Sequence, residues 1–310
     1  ARPGDVVLHN HPSGHLEPSD ADISISSELG GRGVGSYIID NECTRVRVVV
    51  KPFRQPGLNA LDPRVLAGWL RPGGRIADHI GGYEERPQQI EMLDAVAEAF
   101  NRDGIAVIEA GTGTGKSMAY LLPAIAWAVA NGERIVVATH TINLQEQLLD
   151  KDIPLLMQSS GLKFEAALLK GRQNYLCRRK AHYLKTHPDF LDLPEKAQQL
   201  AQIQEWIRST TDGSLSDLPF VPDGDVWDRV MSDADNCLRT RCPFYQQCFF
   251  YNARRSAAGA QVLVVNHHLL LADLALRAET GNYTQTAVLP PYHRLIIDEA
   301  HHLEEVATSY

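Results

Sequence analysis

No apolar run in these 310 residues approaches the length a membrane-spanning helix needs; the longest, Met118 to Ala130, carries Pro123 and stops short of roughly 18 residues. A membrane-spanning helix is therefore not expected. Basic excess is also missing: 30 Lys and Arg stand against 38 Asp and Glu, a net charge of -8. No overall positive field exists, and a polyanionic partner would have to be met by a local patch. Cysteine is scarce, with five in the chain, and four of them (Cys177, Cys237, Cys242, Cys248) fall in one region. That distribution argues against a disulfide framework and for metal ligation in a reducing compartment, so a cytoplasmic location is expected. Cys43 has no partner at useful spacing. No secretory segment is visible, and both ends, Ala1 and Tyr310, read as cuts, so the sequence is expected to be a fragment. Apolar content is ample at 44%, and the length predicts about two domains.

The most informative stretch is 104–117. An apolar β-branched run, Ile105 to Ile108, predicts a buried strand. It breaks into Gly111-Thr112-Gly113-Thr114-Gly115-Lys116-Ser117, and an apolar helical pattern starts at Lys116. Alternating glycines let backbone N–H groups turn inward on a phosphate chain. Lys116 can reach the β/γ-phosphates, and the Ser117 hydroxyl can ligate Mg²⁺ beside the positive end of a helix. The arrangement suits a nucleoside triphosphate. Ala110 occupies the place of a first glycine and is small enough to leave the loop intact.

Upstream, residues 5–11 predict a strand whose period of two puts His9 and His11 on one face. Asp22 follows eleven residues after His11. Two imidazoles and a carboxylate can hold Zn²⁺ and leave a fourth position open. Residues 35–50 predict a closing hairpin, so 1–52 reads as a small α+β unit. Residues 53–82, rich in Gly and Pro, are expected to be a linker.

Pro87 suits the first turn of a helix with Ile90, Leu93, Val96, Ala97 and Phe100 on one face. Arg86 and Gln89 ahead of the phosphate loop are candidates for hydrogen bonding an adenine edge. Short apolar strands are predicted at 134–139, 164–169, 261–265 and 294–298, alternating with helices as in a parallel, doubly covered α/β sheet. Thr139, His140 and Thr141, at a strand end, are placed for the phosphates of a nucleic-acid backbone. The strand at 294–298 ends in Asp298-Glu299. At the carboxyl edge of the sheet, Asp298 would hold Mg²⁺ opposite Ser117, and Glu299 would orient or deprotonate the attacking water.

The α/β alternation is interrupted by residues 171–259, too long for a connection and therefore an inserted, mostly helical subdomain flanked by 83–170 and 260–310. Its cysteines form no tight pair: one distant residue is followed by Cys-x4-Cys-x5-Cys. Loose spacing favours a [4Fe–4S] cluster over zinc or inert buried thiols. Around Cys177 the charge turns positive at Arg172, Arg178, Arg179 and Lys180, and tyrosines and phenylalanines are interleaved on the other side of the insert. Cations of this kind can neutralise phosphates while rings stack on unpaired bases.

His-x-His, seven residues, Ser, two residues, Asp, within His-Asn-His-Pro-Ser-Gly, resembles the JAMM metalloprotease motif and is closest to its RadC-like branch. The upstream glutamate that serves as general base in those peptidases has no counterpart before Ala1. Glu-Arg-Pro-Gln-Gln resembles the adenine-sensing Q motif of helicases. Glu-Ala-Gly-Thr-Gly-Thr-Gly-Lys-Ser, the Thr-His-Thr step, the four-cysteine insert, Val-Val-Asn-His-His at 264–268 and Asp-Glu-Ala-His at 298–301 together resemble the DinG/XPD group of superfamily 2 helicases over about residues 83–310. The resemblance implies a RecA-like motor domain, ATP, Mg²⁺ and cluster use, and 5′ to 3′ translocation on single-stranded DNA, with the insert near duplex junctions. It also implies that a second motor domain is not part of this sequence, so the piece alone is expected to unwind nothing. Two other readings remain open: a zinc-dependent JAMM metallopeptidase with an accessory ATPase, and a redox-sensing DNA-binding module.

Overall fold

The computed structural model describes residues 1, 4–31, 33–52, 57–111, 113–187 and 194–308. The chain divides into two compact units, Ala1–Asn59 and Ala60–Tyr310.

In the first unit, β1 (Val6–Asn10) is joined through α1 (Asp20–Gly31) to β2 (Gly35–Ile39), its parallel neighbour, and β2 pairs antiparallel with β3 (Val46–Val50). The expected strand and hairpin are both present. The turn between β2 and β3 is tied by Asp40, whose carboxylate accepts from the backbone N–H groups of Thr44 and Arg45, from the Thr44 hydroxyl and from the Arg45 guanidinium. Exposed Cys43 lies in that turn with φ of 54°.

The second unit begins earlier than its sequence suggests. Residues 60–82 are corrected from linker to part of the second unit: α2 (Pro63–Trp69) is capped by Asp62, and Leu66, Ala67, Leu70 and Ile76 are buried in the same core as Leu93 and Leu121. Gly and Pro there shape short turns inside a packed segment, and composition cannot distinguish that from an exposed connector. After α3 (Pro87–Asn101) comes α4 (Lys116–Asn131), whose residues Met118 through Ala128 are all buried, and Gly132, in the left-handed conformation, ends it.

Four strands, β4 (Ile135–Thr139), β5 (Ala166–Leu168), β6 (Val262–Asn266) and β7 (Arg294–Ile297), form one parallel sheet in the order β5-β6-β4-β7. The expected α/β class holds, with a RecA-like parallel sheet covered by helices. Between β4 and β5 run α5 (Ile142–Gln147), a π-turn over Leu148–Asp152 and α6 (Ile153–Ser159).

The predicted strand at Ile105–Ile108 is not formed: residues 102–111 carry no strand, and Ile105 and Val107 are 98% and 97% exposed. β-branched residues favour a strand only where a neighbouring strand and a buried face receive them, and the sheet among the described residues offers this run neither.

The insert holds α7 (Arg178–Thr186), α8 (Pro194–Trp206), α9 (Gly224–Val230) and α10 (Phe249–Gly259). It has its own core, running from Tyr175 and Leu176 through Leu200, Ile203 and Trp227 to Phe250. Gly213 is required there because a Cβ would lie 2.2 Å from the Phe249 ring, and its φ is +63°. One buried cation, Lys170, and one half-buried cation, Arg134, join insert to sheet. Lys170 donates to the hydroxyls of Ser214 and Ser216 at 2.8 and 2.5 Å. Arg134, at the start of β4, donates to the carbonyls of Ala258, Ala260 and Pro291. The chain closes with α11 (His267–Thr280), β7 and α12 (Leu303–Ala307), α11 being anchored by the fully buried pair Arg277–Asp273 at 2.6 Å.

Candidate nucleotide site and cysteine centre

The carboxyl ends of β4 and β7 are adjacent, because Ala138 pairs with Ile297 and the Asp298 N–H donates to the Ala138 carbonyl at 2.8 Å. This register delivers Asp298 and Glu299 to the edge where α4 begins. Lys116 Nζ donates to Glu299 Oε1 at 3.1 Å. Four residues further along α4, and so on the same face, buried Tyr120 donates its hydroxyl to Asp298 Oδ2 at 3.0 Å. The Glu299 N–H donates to Asp298 Oδ1. Residues almost two hundred positions apart thus share one pocket edge.

Glu299 sits at φ 52°, left-handed for a residue with a Cβ, a conformation that costs of order 1–3 kcal/mol and collects at functional sites. Its carboxyl is held below the ordinary range, chiefly by the hydrogen bond from Lys116 and then by the lysine's charge, against the opposing effect of burial. Burial beside Asp298 pushes the Tyr120 phenol well up, so it stays a donor. Burial raises the Asp152 carboxyl, against the opposing effect of the nearby Ser117 hydroxyl. Sequence reasoning missed Tyr120 and Asp152. Tyr120 could have been found as a polar-tipped residue one turn beyond Lys116.

In the loop itself, Gly113 and Gly115 have positive φ, and the Thr114 hydroxyl donates to the Gly111 carbonyl at 3.0 Å. Thr112 lies outside the described residues. Gln89 takes a place other than the one expected. It is 5% exposed, its amide N–H₂ donates to the Gly115 carbonyl at 2.9 Å, and its amide oxygen faces the Tyr83 hydroxyl at 3.4 Å. It braces the phosphate loop from beneath, with both ends of the amide engaged, whereas Arg86 is exposed.

The strand-end trio is only partly accessible. Thr139 is fully buried with its hydroxyl unpartnered, so it is corrected from phosphate contact to interior residue. His140 is half-buried, and exposed Thr141 caps α5 by accepting from the Leu144 N–H.

The four cysteines of the insert line one cavity together with Arg179, Lys180, Tyr245 and Tyr251. Cys177 precedes α7 and Cys248 precedes α10, while Cys237 and Cys242 flank the 3₁₀ turn at Arg239–Arg241. Burial would raise the Cys237 thiol, but the Arg239 N–H, the Tyr251 hydroxyl and Arg172 outweigh it and draw it down; burial pushes Cys248 up. A zinc ion at about 2.3 Å from each sulfur would hold four thiolates about 3.8 Å apart. Among the described residues, the one group of three or more ligand atoms all within 4.8 Å of one another is His9, His11 and Asp22. The thiols are spread more widely, as the ligands of a larger inorganic core would be.

The basic residues near Cys177 are largely committed within the insert. Lys180 pairs with Asp233, the Arg179 guanidinium donates to the Asn236 carbonyl at 2.7 Å, and Arg172 and Arg178 lie over the rings of Phe250 and Phe249 at 3.8 and 4.3 Å. These four are corrected from a free phosphate-binding patch to cations that brace the cysteine loops. Lys185, Arg239 and Arg241 remain exposed.

In the first unit, His9 and His11 lie 3.1 and 3.0 Å from the two oxygens of Asp22, and Ser19 donates to Asp22 through both hydroxyl and backbone N–H at 2.7 Å. The Asp22 carboxyl is drawn down to about 2, first by the Ser19 hydroxyl and then by its N–H.

A phosphate loop opening α4, facing an acidic pair at the carboxyl edge of a parallel sheet, defines a P-loop nucleotide-binding domain. The DEAD/DEAH box helicase family model matches residues 86–208, and a RadC-like JAB domain model matches residues 4–34. The ATP-dependent DNA helicase YoaA of Haemophilus influenzae is 36% identical over 238 residues, 76% of this chain and 36% of that protein. The ATP-dependent helicase DinG of Mycobacterium tuberculosis is 40% identical over 250 residues, 74% of this chain and 36% of that protein. A Bacillus subtilis protein named 3'-5' exonuclease DinG is 32% identical over 236 residues, 76% and 24% of the two chains. The chain therefore spans about a third or less of the length of these relatives.

Proposed function

We propose that this chain is the ATP-binding part of an ATP-dependent DNA helicase of the DinG kind, working 5′ to 3′ on single-stranded DNA at duplex junctions, in the cytoplasm. The observation that carries the reading is the meeting of Lys116 with Glu299, and of Tyr120 with Asp298, at one sheet edge. Glu299 serves as counterion to Lys116. An entering triphosphate offers Lys116 a more highly charged partner, so the lysine moves to the β/γ-phosphates and releases Glu299. Losing that cation raises the basicity of the carboxylate, which makes it a better acceptor for the proton of an attacking water. Ser117 and Asp298 are hard oxygen donors suited to Mg²⁺, which when bound would neutralise charge on the phosphate oxygens. Arg86 is the exposed group on the adenine side, and Gln89 keeps the loop shaped to receive phosphate.

Cys177, Cys237, Cys242 and Cys248 would hold a [4Fe–4S] cluster, the thiol spread favouring it over zinc. The exposed cations Lys185, Arg239 and Arg241, together with Thr141, are the remaining candidates for DNA contact. In the intact protein, ATP hydrolysis should rise on addition of single-stranded DNA, and Lys116→Ala should lower it by about 100-fold or more. Hydrolysis indifferent to both would remove the helicase reading.

A second reading rests on the His9–His11–Asp22 geometry, which supplies two imidazoles and a carboxylate to a Zn²⁺ as in JAMM peptidases. Zinc bound by the intact protein should fall by one equivalent in His9→Ala. An unchanged zinc content would leave the triad as a hydrogen-bonded turn.

A further inference from the structure

The histidines around the acidic pair have no role in the nucleotide chemistry above, yet they are connected. β4 lies between β6 and β7, with Thr139 level with Asn266 and Ala138 level with Ile297, so His140, His267 and Asp298 leave the sheet side by side. His267, wholly buried at the start of α11, reaches across the end of the central strand and places Nε2 2.9 Å from the Asp298 carbonyl oxygen. A carbonyl can only accept, so the ring donates from Nε2; its buried Nδ1 has no partner. The His140 ring lies 5.9 Å from that of His267 and stacks on His302 at 4.0 Å with 16° between planes. His302 touches His301 at 4.1 Å, and His301 Nδ1 lies 3.5 Å from Glu299 Oε2. A continuous chain of imidazoles therefore runs from the Asp298 backbone, through the residue that leaves β4, to the Glu299 carboxylate.

We propose that His140, His302 and His267 are positioning residues that couple the exit of β4 to the acidic pair, so that engagement of DNA at Thr141 is transmitted as a change in how Asp298 and Glu299 meet nucleotide. Stacked flat rings resist separation and transmit sideways displacement, and the 3₁₀ turn Ala300–His302 joins His302 directly to Glu299. Glu299 sits at positive φ immediately before that turn, so a movement of the turn would carry its carboxylate with it. Coupling of this kind is reciprocal: whatever DNA does to nucleotide affinity, nucleotide must do to DNA affinity by the same factor. The inference rests on the helicase reading of residues 139–141.

The test measures, in the intact protein, the affinity for a non-hydrolysable ATP analogue with and without an oligo(dT) strand. The wild type should show a ratio of about fivefold or more. His302→Ala, which removes the stack, should bring the ratio close to one while each affinity taken alone stays within about twofold of wild type. His302→Phe keeps a flat ring against His140 and should retain most of the ratio. An unchanged ratio in His302→Ala overturns the proposal. So does loss of both separate affinities in the alanine and phenylalanine variants alike, because the stack is then packing only. A ratio of one in the wild type would instead show that the underlying reading of the β4 exit has failed, and the proposal with it.

Discussion

Gly115 shows how little freedom the phosphate loop has. Its φ is +79°, and a Cβ there would lie 2.1 Å from Gln89 Nε2, the atom that holds the loop through the Gly115 carbonyl. Gly115→Ala should therefore abolish nucleotide binding by two separable routes. Removing the obstacle in Gly115→Ala with Gln89→Ala relieves the clash, but the left-handed backbone still costs about 1 kcal/mol. Calorimetric titration with ATP should show no binding in the single variant and weak binding in the double variant; a single variant that binds normally would mean the loop is looser than its geometry. The motif at 111–117 made the glycines legible in the sequence. Gln89 as their brace was not, because a glutamine looks the same whether its amide meets a base edge or a backbone carbonyl.

At the level of elements, most strands and helices of the sheet were readable from periodicity, since α4, β4 and β6 are buried on every side and carry uninterrupted apolar runs. The exception, Ile105–Ile108, has the composition of a strand without a neighbour, and a ladder takes two partners. The insert follows the opposite logic. Its four-cysteine spacing was visible, but the arginines beside Cys177 had the pattern of a solvent-facing charged patch and turned out to lie over Phe249 and Phe250 or against carbonyls. The insert should therefore depend on its cysteine centre for order. Cys242→Ser in the intact protein should lower the iron content, bleach the visible absorption of an anaerobic preparation and make 171–259 sensitive to proteolysis, while ATP binding at Lys116 persists. A colourless wild-type preparation loaded with zinc would refute the cluster.

For the molecule as a whole, the two units carry separate chemistry, and acid should distinguish them. Asp22 titrates at about 2, held down first by the Ser19 hydroxyl. Asp40 is also depressed, its burial being outweighed by hydrogen bonds from Arg45 and Thr44. For a depressed carboxylate the stabilisation is fully present above the unfolded pKa, near 4, and is lost as pH falls through the folded value. The first unit should accordingly loosen between about pH 4 and about pH 2, seen as faster amide exchange at 20–45, and Asp22→Asn should flatten that dependence. Exchange independent of pH after correction for chemistry would show that the Ser19–Asp22–His11 contacts contribute nothing to folding.

What the sequence alone determined is whatever depends on neighbours along the chain: the phosphate loop, the acidic step at 298–299, the histidine pair at 9 and 11, the alternation of strand and helix, and the interruption that contains the cysteines. What only the tertiary structure decided is whatever depends on partners from elsewhere. Lys116 meets Glu299, Tyr120 restrains Asp298, residues 60–82 join the core of the second unit, Thr139 turns inward, and the cations beside Cys177 find partners within the insert. The physical reason is the same in each case: a side chain's type sets which bonds it can make, while packing between distant segments selects the partner that receives them.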